Sequence, residues 1–262
     1  MSTPSLVLGL DSSTEWLSVA LQLGDGSVLQ RTEEGGARAS QRMLPLLAEL
    51  LEQAGLSLQQ VGLIGFGAGP GAFTGVRAAC AAAQGLGHGL ACPVVPVPTL
   101  LAVAAGCDDQ PEVSRWLVVN DARMGEVYWA LAECEAAPVR PGETGWRLAE
   151  APRVQSPRQA AQHWLRRFGD DAAALALCGN AWDEHGEALA QELGAGWQAA
   201  LQRARRAAPQ AAAVARLARR EHAAGASMPA LQARPLYVRD KVALTTAERA
   251  QHARSLPAGQ RR

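Results

Sequence analysis

The stretch Gly65-Phe66-Gly67-Ala68-Gly69-Pro70-Gly71-Ala72-Phe73-Thr74-Gly75-Val76-Arg77 decides the fold. An apolar run precedes it and an alanine-rich run comes after it, which predicts a strand, a glycine loop and a helix. Thr74 is the expected N-cap of that helix. The glycines let the backbone approach a ligand or another chain segment closely, and the helix dipole favours an anion at this end. The loop is therefore either an anion cradle or a packing turn.

Two known phosphate-binding loops differ from this stretch. A P-loop needs Gly-Lys-Ser/Thr, whereas Gly75 is followed by Val-Arg. The spacing Gly67-x-Gly69-x-x-Ala72 loosely matches a dinucleotide fingerprint, but Pro70 lies inside it and no acid occupies the expected distance. Arg77, one turn into the helix, could still hold a phosphate or carboxylate. We slightly favour the packing turn.

The opening of the chain predicts three antiparallel strands. Residues 5–10 are apolar and end in Asp11-Ser12-Ser13-Thr14, and Gly24-Asp25-Gly26 is a hairpin signal between the next two strands. This opening resembles the actin-like and sugar-kinase superfamily, in which an acid-x-Gly-Thr hairpin grips nucleotide phosphate and metal. Ser13 stands where that glycine is expected, so phosphate can approach less closely. The candidate vestigial nucleotide-binding residues are Asp11, Ser12, Ser13, Thr14, Gly69, Gly71 and Asp121.

A second unit echoes the first. Residues 116–121 form a predicted strand ending in Asp121, followed by a glycine-containing turn and a returning strand over residues 126–131. Residues 135–153 have the composition of a loop. We therefore predict an α/β fold with two lobes of similar architecture. The predicted division is residues 1–107 for the first lobe, residues 108–232 for the second, and residues 233–262 for a C-terminal segment that packs toward the first lobe.

The composition excludes several classes of function. Lys plus Arg and Asp plus Glu both number 25, so no global field attracts nucleic acid or an anionic membrane. The 5 cysteines contain no CxxC pair and the 5 histidines no HxxxH pair, so we expect reduced thiols, no metal site and no cofactor. No uncharged apolar run approaches the ~20 residues that span a bilayer, and no signal peptide is visible. We expect a cytoplasmic protein without membrane contact.

Two predicted helices of the first lobe carry unusual apolar faces. Residues 40–54 have an aliphatic stripe wider than a helix covering one sheet needs, with Pro45 inside it. Residues 78–83 carry small side chains that would allow close helix approach. Each face is either ordinary core, or core that extends into a subunit interface.

Six arginines crowd into a short basic stretch near the end of the second unit. They are Arg203, Arg205, Arg206, Arg216, Arg219 and Arg220. They could meet RNA phosphates, but no aromatic side chains interleave with them to stack on bases. A solvated arginine face is therefore the favoured interpretation, and direct RNA binding is the alternative.

Several motifs together resemble the TsaB (YeaZ) family. They are Leu10-Asp-Ser-Ser-Thr-Glu15, Gln41-Arg-Met-Leu-Pro45, Gly67-x-Gly-Pro-Gly-x-Phe-Thr-Gly-Val-Arg77, Asp121-Ala-Arg-Met-Gly-Glu-Val-Tyr-Trp129 and Pro235-Leu-Tyr-Val-Arg239. The resemblance covers most of residues 5–242, although residues 132–230 match only in layout. Ala39 and Ala68 depart from the histidine and arginine that many members carry, which weakens any case for metal or phosphate chemistry.

The resemblance implies an actin-like (ASKHA, RNase H-like) two-lobed fold without its own catalytic machinery. It implies a required partner of TsaD, the subunit that transfers a threonylcarbamoyl group to N6 of the adenosine next to the anticodon in tRNAs reading ANN codons. It also implies a homodimer alone, a heterodimer with TsaD, a ternary complex with TsaE, and only indirect tRNA contact. The expected interface residues are Met43, Leu44, Leu47, Leu50, Leu51, Thr74, Arg77, Ala78 and Ala81. The alternative is an ATP-binding enzyme of the same superfamily.

Overall fold

A computed structural model describes residues 4–107, 115–134, 145–169, 172 and 174–239. The strands are β1 Leu6–Asp11, β2 Trp16–Leu23, β3 Val28–Glu34, β4 Leu63–Gly69, β5 Val94–Pro98, β6 Arg115–Asp121, β7 Val127–Cys134, β8 Trp146–Gln155, β9 Ala176–Gly179 and β10 Arg205–Arg206. The α-helices are α1 Ala39–Ala54, α2 Phe73–Gly89, α3 Thr99–Gly106, α4 Pro157–Phe168, α5 Trp182–Leu193, α6 Gln198–Gln202 and α7 Ala211–Ala223.

The first sheet has the order β3-β2-β1-β4-β5. Strands β1, β2 and β3 are antiparallel neighbours, whereas β4 and β5 join parallel to β1. The predicted hairpin is confirmed: Gly26, at φ 90°, donates to the Leu23 carbonyl, and the Asp25 carboxylate caps the turn by accepting from Ser27. The left-handed backbone conformation at position 26 favours glycine. The glycine stretch comes next as strand, loop and helix, as the sequence predicts.

The second sheet repeats this topology with the order β10-β9-β6-β7-β8. Strands β6, β7 and β8 are antiparallel, and β9 and β10 are parallel additions. The prediction of two similar mixed sheets is therefore confirmed. The prediction of a loop over residues 135–153 is wrong from Trp146 onward, because β8 lies there as an edge strand, and residues 135–144 lie outside the described residues. An edge position tolerates Pro152, whose missing N–H would break the ladder of a central strand.

Helices on both faces of each sheet complete the core. In the first lobe α1 and α2 cover one face, with Leu8, Phe66 and Met43 in their shared core. In the second lobe α4 and α5 cover the outer face, with Trp129 and Trp164 between them and the sheet. Helices α3 and α7 lie between the two sheets and belong to one apolar cluster with residues of both. The lobes therefore share a continuous core at their junction.

The helix α7 corrects the predicted division of the chain. The sequence prediction places residues up to 232 in the second lobe, but α7 packs on β1, β2 and β4 of the first sheet. Gly9 and Gly65 accept it closely, since a Cβ at Gly9 would lie 2.1 Å from the Ala211 carbonyl oxygen and one at Gly65 2.5 Å from the Ala218 Cβ. An amphipathic helix pattern does not specify which sheet the helix covers, and the sequence therefore misplaces α7.

Two details of the first-lobe helices also differ from expectation. Helix α2 begins at Phe73 with Ala72 as N-cap and without a capping side chain, so the prediction of Thr74 as N-cap is wrong. The Ala72 N–H instead donates to the Ser13 carbonyl at 2.7 Å. The start of the helix is therefore held by the turn between β1 and β2, and not by the hydroxyl of Thr74. Helix α1 starts at Ala39 and runs through Pro45, which lies on its exposed side.

Candidate functional site

The glycine loop packs directly onto the hairpin between β1 and β2. A Cβ at Gly75 would lie 1.7 Å from the Ser12 carbonyl oxygen, and one at Gly71 would lie 2.3 Å from that of Ser13. The Ser12 hydroxyl donates to the Gly75 carbonyl at 2.8 Å. Only glycine permits backbone contacts this close. The loop therefore fills the space in front of the hairpin with the chain's own backbone.

Asp11 is buried beneath this contact between the loop and the hairpin. Its Oδ1 accepts from the Ser13 N–H at 2.9 Å and from the Ser13 hydroxyl at 2.7 Å. Its Oδ2 has no hydrogen-bond partner among the described residues and faces Gly67, where a Cβ would lie 1.8 Å away. Burial raises the pKa of the Asp11 carboxyl to about 6, against the lowering effect of its Ser13 hydrogen bonds.

The second lobe presents Asp121 at the equivalent end of β6, with different surroundings. Its Oδ1 accepts from the Arg123 N–H at 2.8 Å and lies 3.2 Å from His185 Nε2. The Arg123 guanidinium approaches Oδ2 at 3.2 Å. The Asp121 N–H donates to the Asn180 side chain at 2.8 Å. Asp121 thus belongs to a polar network built from the loop after β6 and the start of α5.

A cleft of about 500 Å³ separates the two strand ends. Residues from both lobes line it, among them Ser13, Thr14, Gly71, Thr74, Asp121 and Arg239. Of the candidate vestigial nucleotide-binding residues, Ser13, Thr14, Gly71 and Asp121 reach this cleft, whereas Asp11, Ser12 and Gly69 do not line it. The structure therefore brings only part of the predicted set together.

The described part of the C-terminal segment, residues 233–239, closes one side of the cleft as an extended strap, whereas residues 240–262 of the predicted segment lie outside the described residues. The Leu236 N–H donates to the Ala68 carbonyl at 2.7 Å, and Arg77 Nε donates to the Tyr237 hydroxyl at 2.9 Å. At the other end Arg239 pairs with Glu126 of the second lobe. The strap thus joins both lobes across the mouth of the cleft. Arg77, singled out as a possible anion-binding residue, is engaged with Tyr237 and lies 3.7 Å from the Phe73 ring centroid.

The expected interface residues divide into two groups. Met43, Leu47, Leu50 and Leu51 are buried in the first-lobe core. The wide stripe of α1 faces both the sheet and α2, so its width is explained within the monomer, and the four side chains offer no surface to a partner. Leu44 is 50% exposed. Thr74, Arg77 and Ala81 are exposed, and Ala78 is half-buried.

Three of the six arginines in the stretch have structural contacts. Arg219 donates to the backbone carbonyls of Pro4, Gln22 and Leu23, and partial burial lowers its pKa. Arg220 donates to the Trp146 carbonyl and Arg205 to the Cys107 carbonyl. The favoured interpretation of a solvated arginine face is therefore wrong for these three residues, which connect separate elements of the fold. Their guanidinium groups are bound to backbone carbonyls, so the RNA-binding alternative loses these three arginines as phosphate contacts.

The sequence does not indicate that Arg239 lines the cleft, or that Glu184 and His185 lie beside Asp121. A search for two histidines at helical spacing could not find a histidine that meets Asp121, because the two are far apart in the sequence. The internal repeat was the one available signal. In the first lobe the start of α2 lies over the end of β1, so the repeat predicts that the start of α5 lies over the end of β6 in the second lobe. None of the described helices is long and apolar enough to cross a membrane.

Two repeated mixed sheets with a cleft between them define the actin-like class of two-lobed α/β proteins. The sequence model of the TsaD family, described as tRNA N6-adenosine threonylcarbamoyltransferase, matches residues 33–246. The tRNA threonylcarbamoyladenosine biosynthesis protein TsaB of Haemophilus influenzae is 34% identical over 237 residues, which cover 90% of this chain and 94% of that protein. The chain belongs to this family and, within it, to the TsaB group.

Other relatives agree with this assignment. The TsaB protein of Escherichia coli is 42% identical over 124 residues, which span 47% of this chain and 53% of that protein. The solved structure of YeaZ from Pseudomonas aeruginosa has a TM-score of 0.71 and 36% identity, covering 89% of this chain and 99% of that one. A second Pseudomonas aeruginosa structure, described as an uncharacterized protein with similarity to peptidase YEAZ, also has a TM-score of 0.71.

Proposed function

We propose that this chain is a non-catalytic partner subunit in the transfer of a threonylcarbamoyl group to N6 of the adenosine next to the anticodon. Its membership of the TsaB group supports the reaction, since its relatives are named for tRNA threonylcarbamoyladenosine biosynthesis. One geometric observation supports the non-catalytic role. Gly75 and Gly71 press on the Ser12 and Ser13 carbonyls, which leaves no room for a phosphate between loop and hairpin.

The proposed partner is TsaD, the catalytic subunit, with TsaE joining the pair in the cytoplasm. The chain scaffolds and activates TsaD and meets tRNA only through the complex. Because a sequence model of the TsaD family matches most of this chain, the two subunits share a fold and could pair through equivalent first-lobe helices. The same surface would form a homodimer when the chain is alone.

The proposed interface is the outer side of α1 and α2, which pack beside each other. On α1 the exposed Leu44, Pro45 and Ala48 carry no charge. On α2 no charged residue occurs between Ala78 and Leu86, and Ala81 and Gly85 are exposed there. Exposed helix faces of this length are normally charged, so an uncharged strip marks a surface for another helix.

Two charged side chains of α1, Arg42 and Glu49, hold the helix in place. Arg42 donates to both carboxylate oxygens of Glu33 on β3, at 2.8 and 3.0 Å, and also contacts Glu49. Glu49 pairs with Arg31 on the same strand. The ion pairs fasten α1 to the edge of the sheet, so the uncharged strip is presented on a fixed backbone.

Reconstitution tests the proposed role. Purified TsaD and TsaE are incubated with unmodified tRNA and a source of the threonylcarbamoyl group, with and without this chain, and threonylcarbamoyladenosine is measured by mass spectrometry. We expect modified tRNA only when the chain is present, and loss of the modification when cells are depleted of it. Equal modification without the chain would contradict the proposal.

The homodimer is tested by light scattering on the isolated chain. Leu44→Glu places a charge in the strip, and we expect it to convert dimer to monomer. The matched control is Ala188→Glu, an exposed alanine on α5 of the second lobe. Charging the buried Leu47 would instead disrupt the core, so Leu44 is the informative position. A dimer that survives Leu44→Glu would contradict this interface.

The alternative of an ATP-using enzyme draws on the cleft, whose volume of about 500 Å³ is typical of small-molecule sites. Titration of the isolated chain with ATP and Mg²⁺ separates the two proposals. Because Asp11 and Ser12 are covered, we expect neither tight binding nor hydrolysis. Micromolar binding that hydrolyses ATP would favour the enzyme.

A further inference from the structure

Three side chains that could bind a metal ion converge at the second-lobe edge of the cleft. Ligand atoms of Asp121, Glu184 and His185 all lie within 4.8 Å of one another. We propose that these residues form a binding site for one divalent transition-metal ion, with Zn²⁺ as the ion that fits their chemistry best. This site is separate from the proposed TsaD interface on α1 and α2.

The fold brings these residues together from distant parts of the sequence. Asp121 ends β6, and the parallel strand β9 ends beside it at Gly179. Gly179, at φ 125°, packs so that a Cβ would lie 2.0 Å from the Val119 carbonyl oxygen, and the turn then leads into α5. The Asn180 side chain accepts from the Asp121 N–H and fixes this turn. The first turn of α5, with Glu184 and His185, is thereby held over Asp121.

The ligand types favour a borderline transition metal. His185 Nε2 lies 3.2 Å from Asp121 Oδ1, and both side chains are largely buried, at 8% and 10% exposure. An imidazole nitrogen with two carboxylates suits Zn²⁺, whereas Mg²⁺ and Ca²⁺ prefer oxygen ligands alone. Glu184 is exposed at the surface. Two ligands are therefore preorganised, and the third closes on the ion from the solvent side.

Arg123 competes with a metal ion for Asp121. Its guanidinium lies 3.2 Å from Asp121 Oδ2, and its side chain is 73% exposed. An exposed side chain can turn into solvent at little cost, so the arginine does not close the site. Its positive charge nevertheless repels a cation bound nearby, which lowers metal affinity. Loss of Arg123 should therefore strengthen metal binding.

Calorimetric titration with ZnCl₂ tests the site on the full chain after chelator treatment, with MgCl₂ as a second probe. We expect one Zn²⁺ per chain and weak or no Mg²⁺ binding. His185→Asn should weaken Zn²⁺ binding by about 10-fold or more, since a structural ligand is lost, and Arg123→Gln should strengthen it about 3-fold. His163→Ala is the matched control, because His163 lies 3.6 Å from Glu150 in a comparable histidine–carboxylate pair.

Glu184→Gln provides a second ligand variant at an exposed position, which keeps the test valid if His185→Asn fails to fold. Weaker Zn²⁺ binding in either ligand variant, with His163→Ala unchanged, supports the site. The proposal is overturned if the wild-type chain does not bind Zn²⁺, if neither ligand variant changes the affinity, or if His163→Ala abolishes binding.

Discussion

Asp11 and Asp121 stand at the same topological position in the two lobes, yet their surroundings are opposite. Each ends the first strand of its sheet, and each Oδ1 accepts the N–H two residues further on, at 2.9 and 2.8 Å. Asp11 is 1% exposed beneath a glycine loop, whereas Asp121 reaches the cleft and is surrounded by Arg123 and His185. The same topology therefore produces a hairpin after β1 that is covered by the glycine loop and a hairpin after β6 that is open to the cleft. The difference lies in the loop that leaves each neighbouring parallel strand.

The contact between Gly75 and the Ser12 carbonyl predicts the largest effect on stability. Gly75→Ala would force a Cβ to 1.7 Å from the Ser12 carbonyl oxygen, and we expect the free energy of unfolding to fall by about 3 kcal/mol. Gly179→Ala, at φ 125° at the end of β9 in the second lobe, should cost a similar amount, since its Cβ would lie 2.0 Å from the Val119 carbonyl oxygen. Gly85→Ala is the control on the same helix as Gly75, since its Cβ would meet open space. It should stabilise by about 0.5–1 kcal/mol.

Denaturant unfolding of the three variants measures these changes. Equal stability of Gly75→Ala and Gly85→Ala would show that the loop does not press on the hairpin. A large loss for Gly179→Ala with none for Gly75→Ala would likewise contradict a closed first lobe.

The buried Asp11 predicts a pH-dependent difference in stability. Its pKa is raised from 3.8 to about 6, so its contribution is fully present below pH 3.8 and is lost as the pH rises through 6. A pKa change of this size corresponds to about 3 kcal/mol. Asp11→Asn removes this titration, so the variant should gain about 3 kcal/mol relative to wild type between pH 4 and pH 7.

Asp25 provides a matched control in the same lobe. Its Oδ1 accepts from the N–H and hydroxyl of Ser27, at 2.9 and 2.6 Å, as Asp11 does from Ser13. In this exposed turn the Ser27 hydrogen bonds lower the pKa of Asp25, so its contribution is lost as the pH falls rather than as it rises. Parallel pH profiles for wild type and Asp11→Asn in denaturant unfolding would contradict the burial of Asp11.

The strap predicts a smaller difference in stability, between variants that remove its contact with the second lobe and variants that remove its contact with the first. Arg239→Ala removes the pair with Glu126, in which the arginine side chain is only 14% exposed, and should cost about 1–2 kcal/mol. Arg77→Ala removes exposed contacts with Phe73 and Tyr237 and should cost about 0.5 kcal/mol. Thermal melting of the two variants measures the order. A larger loss for Arg77→Ala would place the main anchor of the strap on the first lobe.

The sequence predicted those features that depend on nearby residues. The hairpin at Gly24-Asp25-Gly26 and the order of strand, glycine loop and helix result from local backbone requirements. Ser12 and Gly75 are 63 residues apart, so no spacing rule shows that they touch. The aliphatic face of α1 was visible, but burial of Leu47 depends on α2 and the sheet covering it together. The edge strand β8 was hidden by Pro152, because a proline normally argues against a strand.

The candidate site was predicted in part for the same reason. Asp11 and Asp121 were found because each ends a recognisable apolar strand. Their different roles were not predictable, since these depend on whether glycines or charged side chains arrive from the next parallel strand. Glu184 and His185 are adjacent residues without a motif, and only the fold places them beside Asp121.

We propose that the first lobe is closed to phosphate and presents α1 and α2 to a partner. The most direct test measures binding of TsaD to the Leu44→Glu/Ala81→Glu variant by calorimetry, with Ala188→Glu as the matched control. Both changes lie at exposed positions, so folding should be unaffected, as circular dichroism would show. We expect TsaD binding to be lost in the double variant and unchanged in the control. A double variant that binds TsaD as tightly as the wild-type chain would contradict the proposed interface.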